Sequence, residues 1–193
     1  MKKNPKKTQI VEAAARTIAD KGYENASIKE IAAEAGLSAP GLIHYYFRTK
    51  EDILLEVARQ SRERYGKEFG AAETDGPAER MFGSGESPER GADGGHDPEW
   101  YKLRYELFAQ GLRSDALAQE VADLLEIGRG GISGVLDTAL AEIGEEERDA
   151  LSAILLACFD GLALQKLLQP GLDLERAYAL LEALILHRYP AAE

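Results

Sequence analysis

Ser27-Ile28-Lys29-Glu30-Ile31-Ala32-Ala33-Glu34-Ala35-Gly36-Leu37-Ser38-Ala39-Pro40-Gly41-Leu42-Ile43-His44-Tyr45-Tyr46-Phe47 is the stretch that decides the fold. It opens on a capping box: Ser27 can accept from the backbone at Glu30, whose carboxylate reaches back. Ile28, Ile31, Ala32 and Ala35 share one side at helical spacing, and Gly36 stops this short helix. Ser38 is the next N-cap candidate. Pro40 then falls in a first turn, where its missing N–H is no loss, so the next helix is predicted to begin near Ala39. Leu42, Ile43, Tyr46 and Phe47 carry it onward. Two short helices joined by a brief glycine-containing turn form a helix-turn-helix, whose second helix enters the major groove of DNA.

Helices flank this pair on both sides. Ile10, Val11, Ala14, Ala15, Ile18 and Ala19 repeat at helical spacing, with Gly22 as the stop. Thr49-Lys50-Glu51-Asp52 is a start signal with acids against the positive end of the dipole, and Ile53, Leu54, Val57, Ala58, Ser61 and Tyr65 follow it. The pattern fails over residues 70–97, which hold seven glycines and two prolines; the reading there is a long mobile surface loop or disordered insert. Trp100, Leu103, Leu107 and Phe108 form one later stripe, and Leu117, Val121, Leu124 and Leu125 another. Gly128-Arg129-Gly130-Gly131 is predicted to interrupt before Ile132, Val135, Leu136 and Leu140 resume. From Ala150 to Leu168 the chain is apolar on more than one face, Pro170-Gly171 breaks it, and Asp173 caps a last helix. No strand and no repeat is expected, so the fold class is all-α.

The chain has 193 residues and a net charge of −11. Residues 1–65 hold 12 Lys/Arg and 9 Asp/Glu, net +3; residues 66–193 hold 11 and 25, net −14. Taken whole, −11 argues against phosphate binding. Taken by parts, the basic end coincides with the helix-turn-helix, since residues 1–50 carry nine Lys/Arg against five Asp/Glu. The bland alternative is a solvated basic tail ahead of an acidic domain. No apolar run approaches the roughly 18–20 residues of a membrane span, and no signal-peptide pattern follows the leading lysines, so a cytoplasmic location without membrane contact is expected. The single cysteine, Cys158, cannot form an internal disulfide or a cysteine-rich zinc module.

Site chemistry follows from residue types. Ser27 and Ser38 put hydroxyls at helix starts, natural phosphate sites. Gly41 removes bulk near the presented end. His44 and Tyr45 can reach phosphate or base edges, and Lys50 and Lys6 can pair with phosphate, with Lys2, Lys3 and Lys7 beside Lys6. For Tyr46 and Phe47 plain core packing competes with any DNA role. An enzyme is disfavoured. His44, His96 and His187 are far apart, Cys158 lies in an apolar helix, and no H-E-x-x-H, G-x-S-x-G or P-loop spacing occurs. No catalytic residue, metal site or cofactor is expected.

Ile10–Leu54, with Gly22-Tyr23, Ser27, Ile31-Ala32, Ala35-Gly36-Leu37-Ser38, Gly41, Tyr46-Phe47, Lys50-Glu51 and Ile53-Leu54, resembles the DNA-binding domain of TetR-type (TetR/AcrR) transcriptional regulators. The resemblance implies an N-terminal three-helix helix-turn-helix domain (1–48), a linking helix (49–69), the glycine-rich loop (70–97) and a C-terminal helical ligand-binding and dimerisation domain (98–193). It extends the DNA-contact set to Ala39, Pro40 and Tyr46. It also implies a homodimer on a near-palindromic operator in double-stranded DNA, with Leu151, Leu155, Leu162, Leu181 and Leu184 as interface candidates on the last two helices. Repression relieved by an unidentified small-molecule effector is the family's default. Trp100, Tyr101, Tyr105, Phe108 and Phe159 are candidates to line an apolar effector site, with ordinary core as the competing reading. Trp100–Leu140 and Asp160-Gly161-Leu162 are similar to the choline/betaine-type repressors, whose ligand is not carried across.

Two departures mark the reading motif. One residue more than the family spacing separates Gly36 from Phe47, placed at Ala39 or Pro40. His44 stands where the family has tyrosine. The extra residue leaves a second reading open: a helical ligand-binding or interaction module that has lost specific DNA binding.

Overall fold

A computed structural model describes residues 4–70, 97–141 and 143–191. Those residues form α1 (Pro5–Lys21), α2 (Ile28–Glu34), a 3-10 turn (Pro40–Leu42), α3 (Ile43–Tyr46), α4 (Lys50–Gly70), α5 (Pro98–Gly111), α6 (Asp115–Ala139), α7 (Glu145–Leu168) and α8 (Leu174–Arg188). The only β pairing among them is one isolated antiparallel bridge between Leu140 and Ala191. The predicted 70–97 loop lies, but for its two end residues, outside the described residues, as do Lys2, Lys3 and His96.

Local chemistry explains the helix starts. Asn4 caps α1, its side chain accepting from Lys6 N at 3.0 Å with Pro5 in the first turn. Asp173 caps α8 by accepting from Arg176 N at 3.0 Å. At α4 the Asp52 carboxylate accepts from Arg48 N (3.1 Å) and Thr49 N (3.0 Å), while Thr49 Oγ1 accepts from Asp52 N (3.0 Å). This reciprocal pair works like a capping box, satisfying donors that the helix itself leaves open.

Two expectations need correction. The glycine cluster 128–131 does not break the chain, because α6 runs through it from Asp115 to Ala139. Each helical glycine costs about 1 kcal/mol relative to alanine, but Leu124, Gly128, Ile132 and Leu136 recur every four residues and all are buried. Packing along that row outweighs local propensity. Second, α7 is long and apolar enough, by length and composition, to cross a membrane. Asp160 and Lys166 interrupt the apolar run, which hides this in a linear reading. A core helix of a soluble protein meets the same description.

The chain divides into two compact units, Met1–Arg64 with Pro98–Leu124, and Tyr65–Asp97 with Leu125–Glu193. In the first, α1 packs on both α2 and α5. Ile10, Val11, Ala14 and Ile18 of α1, Ile31 and Ala32 of α2, Ile43 of α3 and Ile53 and Leu54 of α4 are fully buried there. Two arginines of α4 also meet two acids of α6: Arg59 Nε lies 2.8 Å from Glu120, and Arg62 bonds Asp123 and lies 3.2 Å from Glu120. Segment 98–124 therefore packs with the helix-turn-helix, a grouping that linear domain boundaries do not express. In the second unit Leu136 and Leu155 are fully buried in a cluster with Ile132, Leu140, Leu156, Leu174, Tyr178 and Ile185.

Candidate nucleic-acid interface

The capping box forms as the residues dictate. Ser27 Oγ accepts from Glu30 N at 3.2 Å and donates to Glu30 Oε2 at 2.7 Å, and Ser27 N donates to the same oxygen at 3.0 Å. Lys21 Nζ donates to Glu30 Oε1 at 2.7 Å. The Lys21 hydrogen bond and those from Ser27 hold the Glu30 carboxyl down at about 2. The same contact pushes the Lys21 ammonium up. Arg16 Nε reaches Glu34 at 2.8 Å, so two ion pairs fasten α2 to α1.

The turn after α2 is a Schellman closure. Gly36 N donates to Ala33 O at 3.0 Å and Leu37 N to Ala32 O at 2.9 Å, with Gly36 at φ +60, in the region that favours glycine. The next helix opens near Ala39 as expected, but its first turn is 3-10 instead of α. Ala39 is extended (φ −147, ψ 136) and the chain passes through the 3-10 turn before α3 begins at Ile43. The cause is Pro40, whose ring drives the preceding residue out of the helical region. Ser38 is therefore an exposed turn residue, and no side chain caps the 3-10 turn. The extra residue is absorbed in this turn, and the two-helix corner survives.

Beyond the turn, one side of the segment faces the core and the other faces out. Ile43 and Phe47, four apart, are buried, and Tyr46 is half-buried. Ser38, Ala39, Pro40, Gly41, Leu42 and His44 are exposed, and Tyr45 is 83% exposed. Tyr45 packs edge-on against Tyr46 with ring centroids 5.0 Å apart. Lys6, Lys29 and Arg48 are exposed cations on the same small unit, and Lys6 Nζ donates to the Gln9 side chain at 3.0 Å. Lys7 is held inside the unit, 2.9 Å from Glu56 and 5.4 Å from the Phe47 ring centroid.

Two of the candidate contacts are already engaged. Lys50 Nζ donates to Tyr23 O at 2.8 Å and to Glu24 O at 3.3 Å, and sits 4.3 Å from the Tyr23 ring centroid. Two of its three donors thus tie the start of α4 to the loop after α1. Burial, with Glu51 and Glu24 nearby, pushes the Tyr23 phenol up. The Ser27 hydroxyl is likewise used in the capping box.

The remaining candidates fall in different places. Trp100, Tyr101, Tyr105 and Phe108 are half-buried on α5. Tyr101–Tyr105 and Tyr105–Phe108 ring centroids lie 6.0 and 6.4 Å apart, and the buried Arg104 guanidinium lies 4.8 Å from the Phe108 centroid. Phe159 belongs to the second unit, where it meets Tyr178 at 5.8 Å. Leu155 is fully buried in its own protomer's core, Leu151, Leu162 and Leu181 pack against that core, and Leu184 is 61% exposed. Ile154, Leu164, Leu168 and Leu180 are also exposed large apolar residues. Sequence reading missed those four and the Arg59/Arg62–Glu120/Asp123 cluster. Its signal is a basic pair, Arg59 and Arg62, and an acidic pair, Glu120 and Asp123, each at i,i+3 spacing. Among the described residues no group of three or more His, Cys, Asp or Glu is placed to hold a metal ion.

A two-helix corner with its apolar side buried, exposed cations on the same unit and, among the described residues, a helical remainder is the arrangement of a helix-turn-helix DNA-binding regulator. The sequence model of bacterial regulatory proteins of the tetR family matches residues 10–57, and that of the C-terminal part of BetI-type transcriptional repressors matches residues 92–188, half of the chain. The chain belongs to the TetR family of transcriptional regulators. A fatty acid metabolism regulator protein of Bacillus subtilis is 43% identical over 58 residues, 30% of this chain and 29% of that protein. The chain thus aligns with about three tenths of that relative's length. Among solved structures, a transcriptional regulator from Rhodococcus sp. Rha1 superposes with a TM-score of 0.77 at 24% identity, covering 97% of this chain and 99% of that one. A regulator from Saccharomonospora viridis, solved in complex with choline, gives 0.74 at 22% identity, covering 97% and 98%. These two likenesses bear on the fold.

Proposed function

We propose that this protein is a cytoplasmic transcriptional repressor, not an enzyme, that binds a near-palindromic operator as a homodimer and leaves it when a small-molecule effector binds. The observation that carries the DNA-binding part is the outward side of residues 38–45, with exposed Lys6, Lys29 and Arg48 on the same unit, on a corner whose other side is buried. Cations at the rim hold phosphates and fix register, while the outward side chains meet base edges. Two-fold symmetry then requires half-sites about one helical turn apart, roughly 34 Å.

The dimer reading rests on α7 and α8, which leave Ile154, Leu164, Leu168, Leu180 and Leu184 exposed in one protomer. Several large apolar side chains left exposed on two helices are the material of an interaction site, and a second copy is the occupant proposed. The effector reading rests on the half-buried aromatic run Tyr101, Tyr105 and Phe108 on α5. An effector shifts the protein off DNA only by binding the released state more tightly. The test is purified full-length protein against its own upstream DNA. A retarded complex that weakens with salt supports the regulator. A protein that binds a small molecule yet retards no fragment is the ligand-binding module instead.

A further inference from the structure

Resting on the regulator reading, we infer that this protein chooses its operator through thymine 5-methyl groups, with Leu42 and Ala39 as the specificity-determining contacts. The inference starts from what the reading segment lacks. Ser38 to Phe47 contains no Arg, Lys, Asn, Gln, Asp or Glu. Those are the side chains that read guanine, adenine and cytosine edges by hydrogen bonds, most of them bidentate. The polar groups that remain are the Ser38 hydroxyl, the His44 imidazole, the Tyr45 phenol and the phenol of half-buried Tyr46, each able to make single bonds.

The outward face is instead apolar at its centre. Leu42 is 45% exposed and Tyr45, three residues on and so on the same face, is 83% exposed. Ala39 and Pro40 are exposed just before them. The apolar feature that the major groove offers is the thymine C5-methyl, which small and branched apolar side chains contact. Gly41 leaves room for close approach. It has no positive φ, and a Cβ built on it meets nothing within 4 Å. Neither backbone conformation nor packing within the protein calls for glycine there, and it lies between the two apolar contacts. The exposed cations Lys6, Lys29 and Arg48 lie outside this segment in sequence and are available to phosphates.

The experiment uses duplexes selected by the full-length protein from a random-sequence pool, then resynthesised with deoxyuridine for thymidine, which removes only the 5-methyl. Each contacted methyl lost should weaken binding about fourfold, and one in each half-site about fifteenfold. Leu42→Ala, a change at an exposed position, should bind the thymine duplex more weakly and lose most of the difference between thymine and uracil. Replacing guanine by 7-deazaguanine should change affinity by less than about twofold. Equal binding of thymine and uracil duplexes overturns the inference while leaving the regulator standing, as does a Leu42→Ala protein that keeps the full uracil penalty. Failure to select any duplex, with no salt-sensitive complex on any DNA, overturns the regulator reading and this inference with it.

Discussion

Gly41→Ala should make the protein more stable and a poorer DNA binder at once. Gly41 sits in the 3-10 turn Pro40–Leu42 with unstrained backbone, and its missing methyl would meet no atom of the protein within 4 Å. Alanine there narrows the unfolded ensemble at no steric cost, a gain of about 0.4–1 kcal/mol. In a chain of this size that raises the melting temperature by about 1–4 °C. If DNA backbone or a base edge fills the space above residue 41, the added methyl is an overpacking error of about 1–3 kcal/mol, a loss of roughly 5- to 150-fold in affinity. Scanning calorimetry reads the first effect and fluorescence anisotropy on a selected duplex reads the second. A variant that is more stable and binds DNA as well as the parent refutes the close approach at Gly41. A less stable variant refutes the reading of open space around it.

Further outcomes follow from the same contacts. Ser27→Ala removes the α2 capping box and should cost about 1 kcal/mol, read as a lowered melting temperature with the charge of the unit unchanged. The Glu30 carboxyl is held down from 4.5 to about 2 by Lys21 and Ser27. A depressed carboxylate contributes stability that is complete above its unfolded value and is lost as pH falls through the folded one. Acid titration followed by circular dichroism should thus show stability falling between about pH 4.5 and 2, and Glu30→Gln should flatten that segment. Lys50→Met removes the bonds to Tyr23 O and Glu24 O, so it should lower the melting temperature. If the third donor also holds a phosphate, it should weaken binding to all sequences and reduce the salt slope by about one. Leu184→Glu puts a charge on the exposed face of α8 and should shift sedimentation from dimer to monomer without unfolding; Leu155→Glu, inside the protomer core, should unfold the protein instead.

The parts of the molecule governed by neighbours in sequence were readable in sequence. The boxes at Ser27–Glu30 and Thr49–Asp52, the Asp173 cap and the positive-φ glycines 22 and 36 each depend on atoms within a few residues. The reading helix starts beside Ala39, but Ser38 does not cap it: Pro40 holds Ala39 extended and the first turn is 3-10, which a serine in the sequence does not signal. The continuity of α6 through Gly128–Gly131 depends on partners elsewhere in the chain, which no local signal carries. The same holds for the fate of apolar residues on α7 and α8. Leu155 and Ile154 are adjacent and alike in composition, but one is core and the other is surface. Lys50 was read as a phosphate ligand from its position at a helix start, and its partners lie 26 and 27 residues away.

The central claim is that the basic, two-helix end of an acidic chain binds DNA. Its most direct measurement is the equilibrium binding of the full-length protein to a selected duplex as a function of salt. Log affinity should fall linearly with log salt concentration, with a slope of about −0.9 per phosphate contacted, and binding should be stronger to two half-sites about one turn apart than to one. Affinity that ignores salt, or no complex with any duplex at low salt, would contradict it.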